Sequence, residues 1–386
     1  MSTRRHLALV PRDGLACRDG RGWAPVGAGR AHALDWPWPS TILGALRTAW
    51  GRSAEAREGR RFGPEDWRER TQDVRLGRLL VLRSRNGEVE WNRVWPRPLD
   101  ATAFEGGAEI VRLDPVPPAL PTLGRDEDPA REALWRPAMD DPRKPATLPA
   151  WWPDEAFRAW LKGEAPSKSL LGVGAPERRL QIHVGIRADT LTAEEGRLFS
   201  EDVLETVDRS GRWAIGAELE APDPPLGGLV TLGADKRLAA IEPLGERLFA
   251  PPEDLLAAFR PGARGLRLLV VTPACFARGW LVDGFRTEDA VYRGSLPGIE
   301  GEVVLRAAFV GRPLAVSGWD LVRGGPKRTD RMVPPGSVFF VERADGHPFD
   351  VEDARKLWLC AIGGRTQEGF GRIVPGIWHP SRPEPC

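Results

Sequence analysis

Short apolar runs bounded by turn residues, with helical patterns between them, occur in both halves of this 386-residue chain. HLALV at 6–10 predicts a strand, and PSTILGALRTAW at 39–50 predicts a helix, because Pro39 suits a first helical turn and Ser40 or Thr41 can cap it. The last third repeats this alternation. Its predicted strands are RLLVV (267–271), EVVLRAAFV (302–310), SVFFVE (337–342) and RIVPGIW (372–378). VEDARKLWLCAI (351–362) predicts a helix before the last of these strands.

Two strand pairs are also predicted in the first two thirds. The apolar runs in LLVLRSRNGEVEW flank Asn86-Gly87, a dipeptide that favours a tight hairpin turn. RLQIHVGI at 179–186 and RWAIGAEL at 212–219 predict a second pair, a long hairpin with an excursion between its strands. Proline recurs every few residues from 95 to 153, which predicts a segment that wraps the surface rather than forming core.

The pattern of strands with helices crossing one face occurs once in each half of the chain. It predicts an α+β fold of two ferredoxin-like (RRM-like) domains with a long β-hairpin and Pro-rich insertions. The Pro- and Gly-rich segment at 250–265 marks the boundary. We therefore expect an N-terminal domain over 1–255, which carries the hairpin and the insertions. The C-terminal domain then covers 256–386 and contains a glycine-rich loop.

Composition narrows the classes of function. A formal charge of +1 excludes a globally basic nucleic-acid binder, but residues 1–61 carry eleven arginines against five acids, and guanidinium groups suit phosphate recognition. No apolar run approaches the roughly 18 residues of a membrane span, so we expect a cytoplasmic protein without membrane contact. The cysteines at 17, 275, 360 and 386 have neither zinc-site nor disulfide-framework spacing, and we expect no metal and no cofactor.

The segment AIGGRTQEGFGRI at 361–373 is predicted to be a glycine-rich loop. A dinucleotide fingerprint needs a strand before the glycines and a helix after them, whereas here the order is reversed, and no P-loop motif occurs. For Gly363 and Gly364 alone, a helix C-cap with a bulge is the simpler interpretation. The rest of the segment favours close contact with a sugar-phosphate chain, through Gly369 and Gly371 around Phe370 and through the flanking Arg365 and Arg372.

Other candidate contacts are cations and aromatic residues. Arg47 lies three residues from Gly44 on the predicted helix, so that an RNA strand could approach over the glycine, although a solvated arginine is equally consistent. Arg323, Lys327, Arg328 and Arg331 fall within nine residues opposed only by Asp330, which suits a phosphate cradle or a solvated loop. The tryptophans, including Trp36, Trp38 and Trp151-Trp152, are more simply core or interface anchors than base-stacking platforms.

These residues belong to a series of motifs that resembles one CRISPR family. PSTILGALRTAW, PRPLD (96–100), ERRLQIHVGIRADTLTAEEGRLF (177–199), SGWDLVRGGPKRTDRMVPPGSVFF (317–340) and EGFG (368–371) are similar, in this order, to the RAMP-superfamily Cmr subunit that caps the 5′ handle of the guide RNA in type III-B effector complexes. The family tends to have a compact G-G-E-G-R, whereas this chain separates Gly227 and Gly228 from Arg237.

The resemblance implies a subunit that binds crRNA through its 5′ handle, docks on the large polymerase-like subunit and starts the filament of RAMP backbone subunits, with target RNA nearby. It implies no catalysis. The RNA-binding residues that it and the residue patterns indicate are Ser40, Thr41, Arg47, Arg178, Arg179, Arg187, Lys327, Arg328, Arg331, Gly363, Gly364, Arg365, Gly369, Phe370, Gly371 and Arg372.

The segment at 187–211 resembles the hairpin that is called a thumb in this superfamily and that kinks the guide. Its seven acids outnumber its three arginines, so any RNA contact there is apolar or local. Leu191, Leu198 and Phe199 are candidate wedges, with a small local core as the alternative.

Two other functions remain open. A RAMP endoribonuclease that processes precursor crRNA would need a general acid or base, for which His32 and His183 are the candidates. His183 lies in a strand pattern, where a structural histidine is the safer interpretation, and no paired base and acid is evident. A structural adaptor that contacts only protein partners is the third possibility.

Overall fold

A computed structural model describes residues 2–17, 29–31, 34–86, 88–107, 109–118, 128–138, 141–172, 174–222, 227–320 and 323–380. Within these ranges the chain is a mixed α and β structure with two large antiparallel sheets, in agreement with the predicted α+β class. None of the helices described is long and apolar enough to cross a bilayer.

The helices are α1 (Pro39–Glu58), α2 (Pro64–Thr71), α3 (Pro129–Glu132), α4 (Asp154–Leu161), α5 (Glu253–Ala258) and α6 (Val351–Leu357), with short 3-10 turns at Lys168–Leu171 and Glu246–Phe249. The strands up to residue 243 are β1 (Ser2–Pro11), β2 (Gly29–Ala31), β3 (Arg75–Arg85), β4 (Asn92–Pro96), β5 (Ala101–Thr102), β6 (Val111–Arg112), β7 (Pro115–Val116), β8 (Arg136–Pro137), β9 (Trp151–Pro153), β10 (Glu177–Ile186), β11 (Ala193–Glu205), β12 (Val207–Asp208), β13 (Gly211–Pro222), β14 (Leu229–Thr231) and β15 (Leu238–Pro243). The later strands are β16 (Gly265–Val270), β17 (Arg286–Glu288), β18 (Val291–Gly294), β19 (Val303–Phe309), β20 (Leu314–Val316), β21 (Trp319–Asp320), β22 (Gly325–Pro326), β23 (Asp330–Met332), β24 (Val338–Arg343), β25 (Cys360–Ala361) and β26 (Arg372–Trp378).

The first large sheet has the order β14-β15-β1-β13-β3-β4-β9, with β12 paired to β13. Side chains alternate across β1, so Leu7 and Leu9 pack with the buried face of α1, whereas Ala8 and Val10 point into a second cluster on the opposite face. The sheet therefore contributes to two cores, one under α1 and one beyond it.

The second large sheet has the order β17-β18-β19-β24-β16-β26-β25. Strand β16, which lies between β24 and β26, is buried along its whole length. Leu266 and Leu268 of this strand belong to the same cluster as Val10 and Leu82 of the first sheet. The two sheets thus share one continuous hydrophobic core, so that strands of both halves shape whatever lies between them.

The predicted pairing of 179–186 with 212–219 is wrong. β10 instead pairs with β11 in an antiparallel hairpin, closed by a local turn in which the Arg187 amide donates to the Thr192 carbonyl at 2.9 Å. β13 lies between β1 and β3 in the first sheet, where its largely buried residues pack on both faces. Closing the short turn between β10 and β11 costs less conformational entropy than closing the longer loop that the predicted pairing required.

Two smaller expectations about helices are also corrected. The N-cap of α1 is Trp38, and no side chain caps the helix, so neither Ser40 nor Thr41 does so. α6 ends at Leu357 rather than continuing to 362, and the backbone turns at Leu359, which has a φ of 55°.

The Pro-rich segment also differs from its prediction, because it contributes to the shared core. Trp95, Ala103 and Trp152 are almost fully buried there. Asp100, between β4 and β5, is fully buried against Arg267 of β16, with 2.8 Å between its Oδ2 and the guanidinium Nη1. The β3–β4 hairpin is confirmed, although β4 begins only at Asn92, and Gly87 lies outside the described residues.

Candidate nucleic-acid interface

The glycine-rich loop at 361–373 is held close to its own chain. Gly363 and Gly371 have φ values of 80° and 72°, in the left-handed region. A Cβ on Gly363 would lie 2.4 Å from the Cys275 carbonyl oxygen, and one on Gly371 would lie 2.0 Å from that of Ile362. Gly364 follows with its amide donating to the Cys275 carbonyl at 2.8 Å. Contacts within the protein therefore require glycine at positions 363 and 371. Gly363 and Gly364 lie several residues beyond the end of α6, so they do not form its C-cap.

Phe370 is fully buried, which contradicts its predicted role in base stacking. Its ring packs in a small cluster that includes Trp38, Val316 and Met332. Gly369 precedes it with a φ of 90°, and a Cβ there would lie 2.9 Å from Leu79. The segment around Phe370 thus fastens the loop to the start of α1 and to the first sheet.

Arg365 and Arg372 hold the loop together. Arg365 donates to Glu368 at 2.8 and 2.9 Å and to Asp330 at 2.9 Å, and its bond to Glu368 raises its pKa. Arg372 is largely buried, which lowers its pKa, and donates to the carbonyls of Leu359 and Thr366. Both guanidinium groups are already engaged by the protein, which leaves them little capacity for phosphate.

Arg47 lies on α1 beside this loop. Its Nε donates to the Val74 carbonyl at 3.2 Å, and burial lowers its pKa while the nearby Glu368 acts in the opposite direction. One turn earlier, Gly44 is exposed and has no atom within 4 Å of a Cβ built on it. Ser40 and Thr41 are partly exposed in the first turn of the same helix. The surface over the start of α1 is accordingly open.

A two-stranded ribbon over 314–332, formed by β20 with β23 and β21 with β22, carries the most exposed predicted cations; we call it the basic ribbon. The side chains of Lys327, Arg328 and Arg331 are exposed, and that of Arg328 has 92% of its surface in solvent. Asp330 points to Arg365 and lies 3.7 Å from Arg328. The ribbon therefore adjoins the glycine-rich loop, with its remaining cations directed outward.

Trp319 of the basic ribbon was not among the predicted RNA-binding residues. Its side chain is 43% exposed, and it is the one large aromatic among the strongly exposed apolar residues of the described ranges. Trp319 pairs with Pro326 across the ribbon. Its place within SGWD, a polar and glycine-flanked context unlike that of the buried tryptophans, was the available signal.

The predicted cations of the β10–β11 hairpin have acidic partners. Arg178 bonds to Asp35, Arg179 bonds to Glu205, and Arg187 lies 3.1 Å from Asp189. Leu191 and Leu198 are 79% and 60% exposed, so they do not form a local core, whereas Phe199 stacks on His183 with 5.0 Å between ring centroids. The three predicted cations of the hairpin are thus already paired with acids, and the hairpin exposes apolar side chains.

A cleft of about 560 Å³ lies between the first sheet, the segment at 34–39 and the base of the basic ribbon. Trp36, Trp38 and Trp151 line it, with Arg178 and Arg312 as its cations. Trp38 and Trp151 are nearly buried, in agreement with their predicted role as core or interface anchors.

The two histidines that are candidates for acid-base or metal chemistry are His32 and His183. His32 lies outside the described residues. His183 lies 4.0 Å from Glu201, and these two with Asp235 place one potential ligand atom each within 4.8 Å of one another. Arg237 lies 4.0 Å from the same Glu201 carboxylate, and its positive charge disfavours a cation there. The arrangement is that of a structural ion-pair network.

Comparison with known families assigns the chain. The sequence model of the CRISPR-associated protein family Cas_Cmr3 matches residues 7–378. The chain belongs to the Cas_Cmr3 family. This match confirms the Cmr relationship that the motif series predicted, and its span includes every predicted RNA-binding residue. No curated protein matches the Cas_Cmr3 chain.

The solved structures that are similar to this Cas_Cmr3 chain include two of a type III-B assembly. One is described as a cryo-EM structure of the type III-B Cmr-beta bound to cognate target RNA; it is 14% identical, with a TM-score of 0.46 over 88% of this chain and 87% of the other. The second, the same assembly bound to cognate target RNA and AMPPnP, is 13% identical, with a TM-score of 0.44 over 87% and 86%.

Proposed function

We propose that this Cas_Cmr3 chain is a non-catalytic subunit of a type III-B Cmr ribonucleoprotein that binds and caps the 5′ handle of crRNA in antiviral defence. In this role it joins the large polymerase-like subunit to the filament of RAMP backbone subunits, close to the target RNA. Membership of the family supports the assembly, and the motif series supports the position within it.

The observation that carries RNA binding is the basic ribbon. Its exposed Lys327, Arg328 and Arg331 project from a short β structure whose base is fixed, because Asp330 is bonded to Arg365 of the glycine-rich loop. Cations on a fixed ribbon attract a phosphate backbone without a large ordering cost, and the nearby Trp319 offers a face for one base. We infer that the handle lies along this ribbon.

From the ribbon the RNA would continue over the open start of α1. Ser40, Thr41 and Gly44 are partly or fully exposed there, and the first helical amides favour a negative group. The glycine-rich loop supports this surface from below through Phe370 and Trp38, which pack together. Its glycines, Arg365 and Arg372 thus shape the RNA-binding surface rather than contacting RNA, in contrast to the sequence-based hypothesis.

We also propose that the two large sheets represent two ferredoxin-like units, divided as 1–255 and 256–386. The strands β15-β1-β13-β3 and β26-β16-β24-β19 both follow the spatial order 4-1-3-2, if the four strands of each unit are numbered along the chain. Each unit retains one of the two expected helices, α1 in the first and α6 in the second. The shared core supports a rigid relation between the two units.

The test is binding of a fluorescent handle-bearing RNA, a scrambled RNA of equal length, and the handle again at several salt concentrations. Replacing Lys327, Arg328 and Arg331 together by glutamine should weaken handle binding and reduce the salt slope by about 0.7 for each phosphate that the chain no longer neutralises. The matched control replaces Arg247, Arg260 and Arg264, three exposed arginines outside the basic ribbon and α1, and should change neither the affinity nor the salt slope.

Equal effects of the two triple variants would refute the assignment of the ribbon. Equal affinity for handle and scrambled RNA would refute handle recognition. Cleavage of repeat RNA by the purified chain would refute the non-catalytic role, and the absence of any RNA binding, both by the chain and by its complex, would favour the adaptor.

A further inference from the structure

The outer face of β10 is an apolar stripe. Leu180, Ile182, Val184 and Ile186 occupy alternate positions, so their side chains point to the same face, and all are between 45% and 68% exposed. Leu198 of β11, opposite Val184, extends the stripe and is 60% exposed. Strands that face water usually carry polar residues at such positions.

The same strand is also an edge. The small sheet has the order β10-β11-β2, so only one side of β10 is paired within the described residues. No backbone hydrogen bond joins 177–186 to any described segment other than β11. Every second amide and carbonyl along the free side is thus available to another strand.

Exposed apolar residues are concentrated on this hairpin. Of the thirteen strongly exposed large apolar side chains in the described ranges, six lie between 177 and 205. A long, flat, apolar edge strand is a template for association, and folded proteins ordinarily protect such edges with charges, prolines or covering segments. β10 contains no proline and has its charged residues at its first three positions.

The chemistry of the stripe favours protein over RNA. It contains neither an aromatic ring for stacking nor an uncompensated cation, because Arg178 bonds to Asp35, and Arg197 of the neighbouring strand lies 3.1 Å from Glu194. Glu195 near the tip adds an exposed carboxylate. A phosphate backbone would find no attraction here, whereas an apolar strand flanked by Lys or Arg would be complementary.

We propose that β10 accepts an additional antiparallel or parallel strand from another protein subunit of the assembly. That strand alternates aliphatic residues, which cover Ile182, Val184 and Ile186, and carries a basic residue that reaches the hairpin tip. Main-chain hydrogen bonds supply much of the affinity, and the aliphatic stripe fixes the register. The proposal depends on the proposed assembly but not on handle binding by the basic ribbon.

The test is hydrogen–deuterium exchange of the full chain, first alone, then with handle RNA alone, and then in the reconstituted Cmr complex. Roughly half of the β10 amides, in alternation, should exchange at least about tenfold more slowly in the complex. Unchanged exchange in a complex that forms normally would overturn this inference while leaving the proposed function intact. Failure of the wild-type chain to enter any such complex would overturn both.

Two charge substitutions complete the design. Ile182→Lys places a charge on the stripe, and Leu229→Lys places one on an equally exposed position of β14, at 68% and 63% exposure respectively. Both should leave the melting temperature of the isolated chain unchanged. Only Ile182→Lys should weaken incorporation, by about tenfold or more.

Equal incorporation of the two lysine variants would contradict the proposal. Protection of β10 by handle RNA alone would also overturn it, in favour of an RNA site. Concentration-dependent dimerisation of the isolated chain that Ile182→Lys abolishes would overturn it in favour of a second copy of this chain.

Discussion

Replacing Asp100 with alanine should lower the free energy of unfolding by about 3–5 kcal/mol, the usual cost of leaving one member of a buried ion pair without its partner. Asp100 and Arg267 are both fully buried. The carboxylate accepts from Arg267 Nη1 and from Trp160 Nε1, each at 2.8 Å. The substitution therefore leaves a buried indole N–H unpaired, which alone costs about 1–3 kcal/mol, and a guanidinium with only the carbonyls of Trp160 and Ile377.

Equilibrium urea unfolding followed by tryptophan fluorescence measures this loss. The surface control is Asp345→Ala, since Asp345 is 55% exposed in its pair with His347 and its loss should change the free energy of unfolding far less than the loss of Asp100. The double variant Asp100→Leu/Arg267→Met should recover much of the loss, because it removes both buried charges together. A loss below about 1 kcal/mol for Asp100→Ala would refute the view that this pair ties the Pro-rich insertion to the second sheet.

Three further predictions concern the loop, the helix and the thiols. Gly371→Ala should lower the free energy of unfolding by at least about 2 kcal/mol in thermal melts, because its Cβ would lie 2.0 Å from the Ile362 carbonyl oxygen; a neutral result would contradict the described loop. Gly44→Ala should raise helix stability by about 0.5–1 kcal/mol, since nothing lies within 4 Å of the new methyl group, and a decrease would show that the methyl group meets a neighbour. Burial, with Glu201 adding to it, raises the pKa of Cys17 to about 12, and burial also raises the pKa of the partly exposed Cys275. Cys17 should therefore be alkylated more slowly than Cys275 at pH 8, and equal labelling of the two by peptide mapping would contradict this.

The strands and α1 could be predicted because their apolar patterns are local. The pairing of β10 could not be predicted, since its apolar pattern is compatible with pairing to β11 or to β13. Which of the two strands pairs with β10 depends on the turn that forms and on which strand is buried in the first sheet. The prediction that the Pro-rich segment does not form core was wrong for a related reason. Proline disrupts the interior of a regular helix or sheet, but it does not prevent Trp95 and Trp152 from entering a core between turns.

The glycine-rich loop was located correctly, and the close approach that its glycines permit is to the chain itself. Glycine indicates that something approaches the backbone closely, and the sequence does not say whether that is RNA or the chain itself. Here it is the carbonyls of Cys275 and Ile362. The acidic partners of Arg365 similarly depend on tertiary contacts, because Asp330 is distant in sequence. The exposed cations of the basic ribbon were within reach of prediction, since Asp330 is the one acid among residues 323–331.

The most direct test of the proposed RNA site is photocrosslinking of crRNA carrying 4-thiouridine in its 5′ handle to the full chain within the reconstituted complex, followed by peptide mapping. We predict that the crosslinked peptides of this chain come from 317–331 and from the start of α1, and that glutamine at Lys327, Arg328 and Arg331 removes them. Handle crosslinks confined to 245–264 or to the β10–β11 hairpin, with none in the basic ribbon, would contradict it.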